Sequence, residues 1–330
     1  MKILITGGAG FIGYHLAKRL SSEGHNITIA DNFFRGKRDA ELGALLKNPN
    51  VHLVEADLSQ KDAWNALGKG YDQVYHLVGI NGTNLFYEIP HEVLRIGVAS
   101  TMHALDWFRG VNGVPDAKIL YTSSNEAYAS ALEAYGSLPL PTPENVPLVI
   151  ADTYNPRWSY GGQKLIGELF FIHYAKAYNF RMVIVRPHNF YGPRSGYGHV
   201  IPGTLEKIRV KTDPFPLPGA DETRSFCYID DAVEAMQVVM GSRATDGGTY
   251  HIGNPNELSM EALVQEIFNI AKWHPKTLEK KLSPAGSVKR RLPDVSKLKR
   301  DTGWEAKTTL EEGLRKTVEW YLLNPKGDSR

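Results

Sequence analysis

The sequence predicts a doubly wound α/β fold, in which a parallel sheet carries helices on both faces, followed by a smaller, mostly helical C-terminal region. Short runs of apolar, β-branched residues alternate with longer segments of helical period through the first 190 or so residues. These runs are nearly all apolar, which is typical of strands that are buried on both faces. The first run, KILIT, leads directly into a glycine-rich turn.

The predicted elements alternate as a parallel sheet with crossover helices requires. The strands are KILIT, NITIA, VHLVEAD, QVYHLV, AKILYTSS and RMVIVRP, and the helices cover 11–23, 60–67, 91–108 and 158–178. After His188 Pro and Gly become frequent, and a strand and helix at 226–240 and amphipathic helices at 258–271 and 310–323 follow. We predict a discontinuous cofactor domain at 1–187 and 226–252, and a substrate domain at 188–225 and 253–330.

Composition argues against several classes of function. The 330 residues include 38 Lys and Arg against 36 Asp and Glu, and a net charge of +2 is too small to predict nucleic-acid binding. The one cysteine, Cys227, cannot form an intrachain disulfide, and no motif has metal-ligand spacing. We find no signal peptide and no apolar run long enough to span a membrane, so we expect a cytoplasmic protein without a metal.

The glycine-rich turn predicts a dinucleotide site. Gly7, Gly10 and Gly13 lie between the first strand and the first helix. Backbone N–H groups and a helix N-terminus can approach a pyrophosphate there, because no side chain blocks the way. A tight turn without a ligand is the alternative, and the residues that follow the second strand decide between them.

Asp31 ends the second strand at the position where a carboxylate accepts hydrogen bonds from the adenine ribose and repels a 2′-phosphate. We therefore predict NAD rather than NADP. Arg35, Lys37 and Arg38 lie beyond this carboxylate, and we interpret them as a solvated face. Asp57 closes the third strand, where it can cap a helix or hydrogen-bond adenine, and the two roles are compatible.

Three residues predict a proton-transfer site. Tyr160 and Lys164 lie four residues apart at the start of a predicted helix, and therefore on one face. A phenol is a poor base at neutral pH, but a neighbouring ammonium and the positive nicotinamide both stabilise the phenolate. Ser124 follows a strand directly, at the carboxyl edge where such sheets bind ligands, so its hydroxyl can hydrogen-bond the substrate oxygen.

With these residues the chain resembles the extended short-chain dehydrogenases/reductases that modify nucleotide-sugars, namely the epimerases, dehydratases and decarboxylases. The resemblance covers nearly the whole chain and rests on GGAGFIG, Asp31-Asn32, EAD, HLVG, TSSNEAY, YGGQK, RPHNFYGPR, TRSFCYIDD, YHIGNP and DVSKLKRDTGW. It implies a Rossmann domain that binds NAD and a second domain that binds a nucleotide-sugar, linked to UDP, GDP, CDP or dTDP.

The resemblance also implies roles for individual residues. The cofactor contacts are Gly7, Gly10, Phe11, Ile12, Gly13, Asp31, Asn32, Asp57, Leu58, Leu77, Tyr160 and Lys164. The catalytic residues are Ser124, Glu126, Tyr160 and Lys164, and the substrate contacts are Asn81, Ser124, Asn125, Asn189 and Arg224. Asn189 as a turn residue and Arg224 as a surface residue remain alternatives.

Three departures from the family pattern alter the predicted sugar pocket. GVAST at 97–101 stands where members usually have NVxGT, AYA at 127–129 replaces VYG, and HLVG at 76–79 replaces HLAA. The cofactor site and the triad are unaffected. The polar loop at 80–84 follows the fourth strand, and Asn81 either contacts sugar hydroxyls or shapes a turn.

The shared first step in this family is hydride removal from carbon 4 of the sugar, and the ketone then permits epimerisation, dehydration or decarboxylation. Glu126 discriminates among these, because dehydratases and glucuronate decarboxylases have a glutamate there and simple epimerases a small or apolar residue. Asn125 stands where the reference dehydratase has an acid. Epimerases are the most numerous members, so we predict a nucleotide-sugar 4-epimerase, with dehydratase and decarboxylase as alternatives.

A non-catalytic NAD sensor or scaffold on the same fold is the alternative from another class, and the intact triad argues against it. The long helices near His91 and Trp158 would suit the four-helix contact that this family often uses, so we also expect a homodimer.

Overall fold

The protein is described by a computed structural model that covers residues 1–283 and 288–325. Its strands are β1 (Lys2–Thr6), β2 (Asn26–Asp31), β3 (Val51–Glu55), β4 (Gln73–His76), β5 (Lys118–Thr122), β6 (Arg181–Pro187), β7 (Phe190–Tyr191), β8 (Phe215–Pro218), β9 (Thr223–Ser225), β10 (Cys227–Tyr228), β11 (Thr249–Ile252), β12 (Glu257–Ser259), β13 (Leu278–Lys281) and β14 (Arg290–Arg291).

The α-helices of the described residues surround these strands. They are α1 (Phe11–Ser22), α2 (Ala40–Leu45), α3 (Thr83–Glu88), α4 (Pro90–Trp107), α5 (Glu126–Tyr135), α6 (Trp158–Tyr178), α7 (Val200–Arg209), α8 (Ile229–Gly241), α9 (Met260–Ala271), α10 (Ser296–Thr302) and α11 (Leu310–Leu323). No helix in the described ranges is long and apolar enough to cross a membrane.

The central sheet has seven strands in the order β11-β6-β5-β4-β1-β2-β3, and every neighbouring pair is parallel. Side chains of β1 alternate between two apolar clusters, since Ile3 and Ile5 belong to one and Leu4 to the other. Both faces of the sheet are therefore covered, by α1 and α8 on one side and by α4 and α6 on the other. The prediction of a doubly wound sheet is confirmed.

The strand order reverses between β1 and β4, and this reversal decides where a ligand can bind. The chain leaves β1 toward β2 and β3 on one side and continues from β4 to β5 and β6 on the other. The connections after β1 and β4 therefore diverge and leave a crevice at the carboxyl edge of the sheet. The glycine turn and the Ser124 loop both end at this edge.

The C-terminal region consists of small sheets and helices that extend the same core. Strands β12, β9 and β14 form one sheet, β10 pairs with β7, and β13 pairs with β8. Helix α9 packs against α7 and α11, and its Phe268 belongs to the cluster that contains Ile3. The division into two domains at the boundaries given above stays a prediction.

Most long elements agree with the sequence pattern, and the differences have local causes. Helices α6 and α11 match their predicted bounds, whereas the segment at 60–67 forms a 3-10 helix at Lys61–Leu67. The predicted helix at 258–271 begins at Met260, because the Ser259 hydroxyl accepts a hydrogen bond from Ala262 N and caps it.

The sequence pattern did not predict strand β11 or helices α3, α5 and α7. The case of α7 shows the reason, since Pro202 and Gly203 interrupt its pattern. Pro202 is the third residue of the helix, where a backbone N–H has no partner within the helix anyway, so the proline is tolerated.

Candidate active site

A single pocket at the carboxyl edge of the sheet brings the predicted cofactor residues together. It contains Gly7, Gly10, Phe11, Ile12, Gly13, Asp31, Asn32, Asp57, Leu58, Leu77, Tyr160 and Lys164 in its wall. Asn81 also lines the pocket, while Ser124, Glu126, Asn125, Asn189 and Arg224 are not part of this wall.

The glycine turn forms a cradle that side chains would fill. A Cβ atom on Gly13 would lie 2.5 Å from both Gly7 O and Gly8 Cα, and Gly7 has a φ of +71°. The turn leads into α1, whose N-cap residue Gly10 has no side chain to accept a hydrogen bond from the first N–H groups of the helix. Such a cradle fits a dinucleotide pyrophosphate, because backbone donors and the helix N-terminus face it without obstruction.

Asp31 and Asp57, which we predict to bind the adenosine part of the cofactor, both line this pocket. The Asp31 carboxylate accepts hydrogen bonds from Ala9 N at 3.0 Å and Phe33 N at 2.8 Å. Burial raises the pKa of Asp31 above its usual value, although the two backbone donors oppose the shift. Asp57 accepts from Ser59 N at 3.1 Å, so it closes a turn rather than capping the 3-10 helix, which has no side-chain cap.

The interpretation of Arg35, Lys37 and Arg38 as a solvated face holds for Arg38 but not for Lys37, while Arg35 is exposed and still faces the pocket. Arg38 does point outward, where it pairs with Glu55. Arg35 and Lys37 line the pocket, and the Lys37 ammonium donates to the carbonyl of Arg194 at 3.2 Å. The loop after β2 turns back over the cleft, which residue order alone does not reveal.

Tyr160 and Lys164 lie at the inner end of the pocket on the first turns of α6. The Lys164 ammonium donates to Thr122 O at 2.7 Å, which ties it to the end of β5. Burial lowers the pKa of Lys164 to about 7. The Tyr160 ring stacks on Phe86, with 4.8 Å between the ring centroids.

The protonation of Tyr160 depends on what the pocket contains. Burial raises the pKa of this phenol well above its usual value, whereas its hydrogen bond with Ser124 lowers it. The Ser124 hydroxyl also accepts from Glu126 N at 3.1 Å, which holds it at the end of β5. A positive nicotinamide beside Tyr160 would lower the pKa further, because it stabilises the phenolate.

Glu126 lies in a group of arginines that the sequence analysis did not identify. Its carboxylate is 2.8 Å from Arg291 and 3.5 Å from Arg157, and all three side chains are at most 16% exposed. Burial by itself would raise the pKa of Glu126, but the two guanidinium groups outweigh it, so the pKa lies below its usual value. Arg224 approaches the same group and pairs with Glu222 at 2.7 Å.

This group lies beside the triad because α5 packs against α6. A Cβ atom on Gly161, next to Tyr160, would lie 2.6 Å from Glu126 O, so the two helices touch at this glycine. The charge of Glu126 also contributes to the raised pKa of Tyr160, although less than burial does. Ser124, Tyr160 and Glu126 therefore belong to one site.

The two predicted substrate asparagines near these residues differ in surroundings. Asn125 is buried, and its side-chain N–H group has no hydrogen-bond partner among the described residues. Asn189 has a φ of +43° and donates to Ser225 O at 2.8 Å, which is the behaviour of a turn residue. The substrate role predicted for each stays a prediction.

The departure at Gly97 has a structural counterpart. The side chain of Gln163 occupies the space above this glycine, where a Cβ atom would lie only 1.7 Å from Gln163 Oε1. Gln163 is 1% exposed, and neither polar atom of its amide has a partner in the described part of the chain. The residue lies next to Lys164 in the YGGQK stretch, but no pattern marked it in advance.

No group of three or more potential metal-ligating side chains was found in residues 1–283 and 288–325. A dinucleotide cradle that ends at a buried Ser-Tyr-Lys triad defines the class of the extended short-chain dehydrogenases/reductases. The chain belongs to the NAD dependent epimerase/dehydratase family, whose model matches residues 3–253. NAD is thus the cofactor, and the roles predicted for the residues of the cradle stay predictions.

Individual relatives and solved structures are also similar to this chain. The chain is 31% identical to the UDP-N-acetyl-alpha-D-glucosaminuronate decarboxylase of Bacillus cytotoxicus, over 97% of each chain. It is 32% identical to UDP-glucuronic acid decarboxylase 6 of Arabidopsis thaliana, over 98% of this chain and 89% of the relative. The solved structure of UDP-glucose 4-epimerase from Thermotoga maritima with UDP-glucose matches this chain with a TM-score of 0.85 and 25% identity. The match covers 98% of this chain and 99% of the epimerase chain.

Proposed function

We propose that the protein decarboxylates a UDP-linked hexuronic acid through a 4-keto intermediate. The observation that carries the proposal is the buried group of Glu126, Arg157 and Arg291 beside Tyr160. The likeness to the two decarboxylases supports it. The sequence-based preference for 4-epimerisation is not confirmed, and the decarboxylase alternative has the better support.

Hydride transfer at carbon 4 assigns the first roles. NAD held by the glycine cradle would supply the hydride acceptor for the oxidation at carbon 4 and the hydride donor for the later reduction. Tyr160, as the phenolate, takes the proton of the 4-hydroxyl, and Ser124 hydrogen-bonds the same oxygen. The Lys164 ammonium stabilises the phenolate. Its hydrogen bond to Thr122 O fixes the position of the ammonium in the pocket.

The arginine group acts on the carboxylate at carbon 6. Arg291 and Arg157 carry more positive charge than Glu126 neutralises, so a second carboxylate can enter beside them. The carbon 5–carbon 6 bond breaks, carbon dioxide leaves, and the electron pair moves to the carbon 4 oxygen, where Ser124 and Tyr160 stabilise it. Ionised Glu126 opposes the negative charge of the departing carboxylate, and a proton from solvent water then adds at carbon 5.

A mass-resolved assay over a panel of nucleotide-sugars tests the proposal. The panel contains UDP-glucuronate, UDP-N-acetylglucosaminuronate, UDP-glucose and dTDP-glucose, each incubated with the NAD-loaded protein. Release of carbon dioxide from a UDP-uronic acid supports the proposal. Loss of water from a neutral sugar would show a dehydratase, and a new sugar of unchanged mass would show an epimerase.

The second candidate is the 4-epimerase, which the likeness to UDP-glucose 4-epimerase favours. This reaction needs the triad but not an ionised Glu126 between two arginines, which is why we rank it second. A non-catalytic sensor would bind NAD and turn over no member of the panel.

We also propose that the protein forms a homodimer through α4 and α6. These helices pack side by side and leave Leu94, Ile166 and Leu169 exposed by 38%, 37% and 50%. Leu169→Glu should convert the dimer to a monomer in light scattering, because it places a charge in an apolar contact. A wild-type monomer would contradict the proposal.

A further inference from the structure

Arg35 lies across the mouth of the cofactor pocket and touches the loops on its far side. A Cβ atom on Gly82, after β4, would lie 3.6 Å from both terminal nitrogens of the Arg35 guanidinium. A Cβ atom on Gly196, between β7 and α7, would lie 3.6 Å from one of them. The loop after β2 therefore reaches the two opposite loops through this one side chain.

The positive charge of Arg35 has no anionic partner in the described part of the chain. The other cations of the pocket are all engaged: Lys164 donates to Thr122 O, Lys37 donates to the carbonyl of Arg194, and Arg194 pairs with Asp39 at 2.7 Å. An arginine in a concave site without a counterion attracts anions.

Neither of two titratable side chains that share the pocket with Arg35 supplies a free anion. His199 lines the same pocket, and burial together with the charge of Arg35 lowers its pKa below the usual value. The imidazole is therefore neutral at physiological pH and adds no second positive charge. Asp31 also faces this pocket, but its carboxylate is already bonded to Ala9 N and Phe33 N.

We propose that Arg35 binds a diphosphate group and closes the pocket over it. A guanidinium donates two parallel hydrogen bonds to phosphate oxygens, and the Arg35 side chain lines this pocket. Two molecules can supply a diphosphate here, NAD and the nucleotide-sugar. The second source depends on the proposed function, whereas the first requires only the cofactor.

Closure over the pyrophosphate has a purpose in a reaction that returns its hydride. If the reduced cofactor dissociated, the substrate would remain as the 4-keto intermediate. Slow dissociation of the cofactor therefore favours completion of the reaction. Because Arg35 lies beside both Gly82 and Gly196, phosphates bound to its guanidinium would hold the loop after β2 against the two far loops.

The experiment compares Arg35→Gln with Arg38→Gln, a neighbour in the same loop that pairs with Glu55 outside the pocket. Arg35 is exposed, so the substitution leaves the core intact. Calorimetry measures the affinity of the NAD-free protein for NAD, ADP and adenosine, and of the NAD-saturated protein for UDP. None of these measurements requires turnover, so they stand whether or not the protein is a decarboxylase.

If Arg35 binds the diphosphate of the cofactor, Arg35→Gln lowers the affinity for NAD and ADP by about tenfold to a hundredfold and leaves the affinity for adenosine unchanged. If Arg35 binds the diphosphate of the nucleotide-sugar, the affinity for UDP falls by a similar factor and the affinity for NAD does not change. In both cases Arg38→Gln stays within about twofold of wild type. The proposal is overturned if Arg35→Gln changes neither affinity, or if adenosine weakens as much as ADP.

Discussion

Replacement of Glu126 by glutamine tests the part of the site that distinguishes decarboxylation from epimerisation. Glutamine keeps the size of the side chain and removes its charge, so Arg157 and Arg291 lose their shared anionic partner. If Glu126 acts on the substrate carboxylate, the carbon 4 oxidation still proceeds and the later step stalls. Reduced cofactor then accumulates during turnover, which absorbance records directly.

The magnitude has two components. A hydrogen bond that involves a charged group contributes about 1.5–3 kcal/mol, and the contact with Arg291 at 2.8 Å is of this kind. Glutamine retains one acceptor, and the group is slightly exposed, so we expect a loss of about 1–2 kcal/mol in the free energy of unfolding. Turnover should fall on the order of a hundredfold, equivalent to about 2.7 kcal/mol in the activation barrier.

Asp246→Asn is the matched control. Asp246 also bridges two cations, with Lys118 and Arg181 both at 2.7 Å, but these lie at the amino ends of β5 and β6, on the opposite edge of the sheet. We expect a comparable loss of stability and normal turnover. Near-normal turnover of Glu126→Gln with the true substrate would refute the role of Glu126 and favour epimerisation at carbon 4.

Three further changes test the triad and its surroundings. Tyr160→Phe keeps the ring on Phe86 and should lower turnover on the order of a hundredfold or more, with NAD still bound. The pKa of Lys164 falls from 10.5 to about 7 on folding, so the unfolded chain binds more protons between these values and stability rises with pH. In Lys164→Met without NAD, the gain in unfolding free energy between about pH 7 and about pH 9 should be smaller by about 2 kcal/mol. Gly97→Ala should cost about 1–3 kcal/mol by overpacking against Gln163, and Gln163→Ala in the same chain should recover most of it.

Kinetics, denaturant titration and thermal unfolding give the readouts for these changes. A Tyr160→Phe enzyme with more than about half of wild-type turnover would mean that another group takes the proton. An equal pH dependence of stability in Lys164→Met and wild type would show that Lys164 stays charged in the fold. Additive effects of the alanine substitutions at Gly97 and Gln163 would show that the two positions do not compete for the same space.

Local patterns predicted the sheet and the cofactor pocket. A strand buried on both faces is apolar along its length, and a turn that approaches a pyrophosphate needs glycine, so both features can be recognised in a few consecutive residues. Asp31 could be placed in the same way, because it ends a strand beside that turn. All the cofactor residues predicted from these motifs line one pocket.

Short motifs could not predict contacts between side chains that are distant in the chain. Gln163 fills the space above Gly97 only because α4 and α6 pack closely, and Arg35 enters the cofactor cleft only because its loop turns back. In both cases the side-chain type was visible in the sequence, but its direction depended on the packing of a neighbouring element.

The sequence by itself predicted the class of fold and NAD as the cofactor, and it marked Ser124, Tyr160 and Lys164 as the candidate triad, since each inference depends on residue type at short spacing. Only the tertiary structure decided the environment of Glu126. Arg157 precedes α6 and Arg291 ends β14, and the two meet at this carboxylate because β14 pairs with β9 and α5 packs on α6. Burial then sets the charge of the group, because ionised side chains removed from water must be paired, and pairing depends on positions in space rather than in the chain.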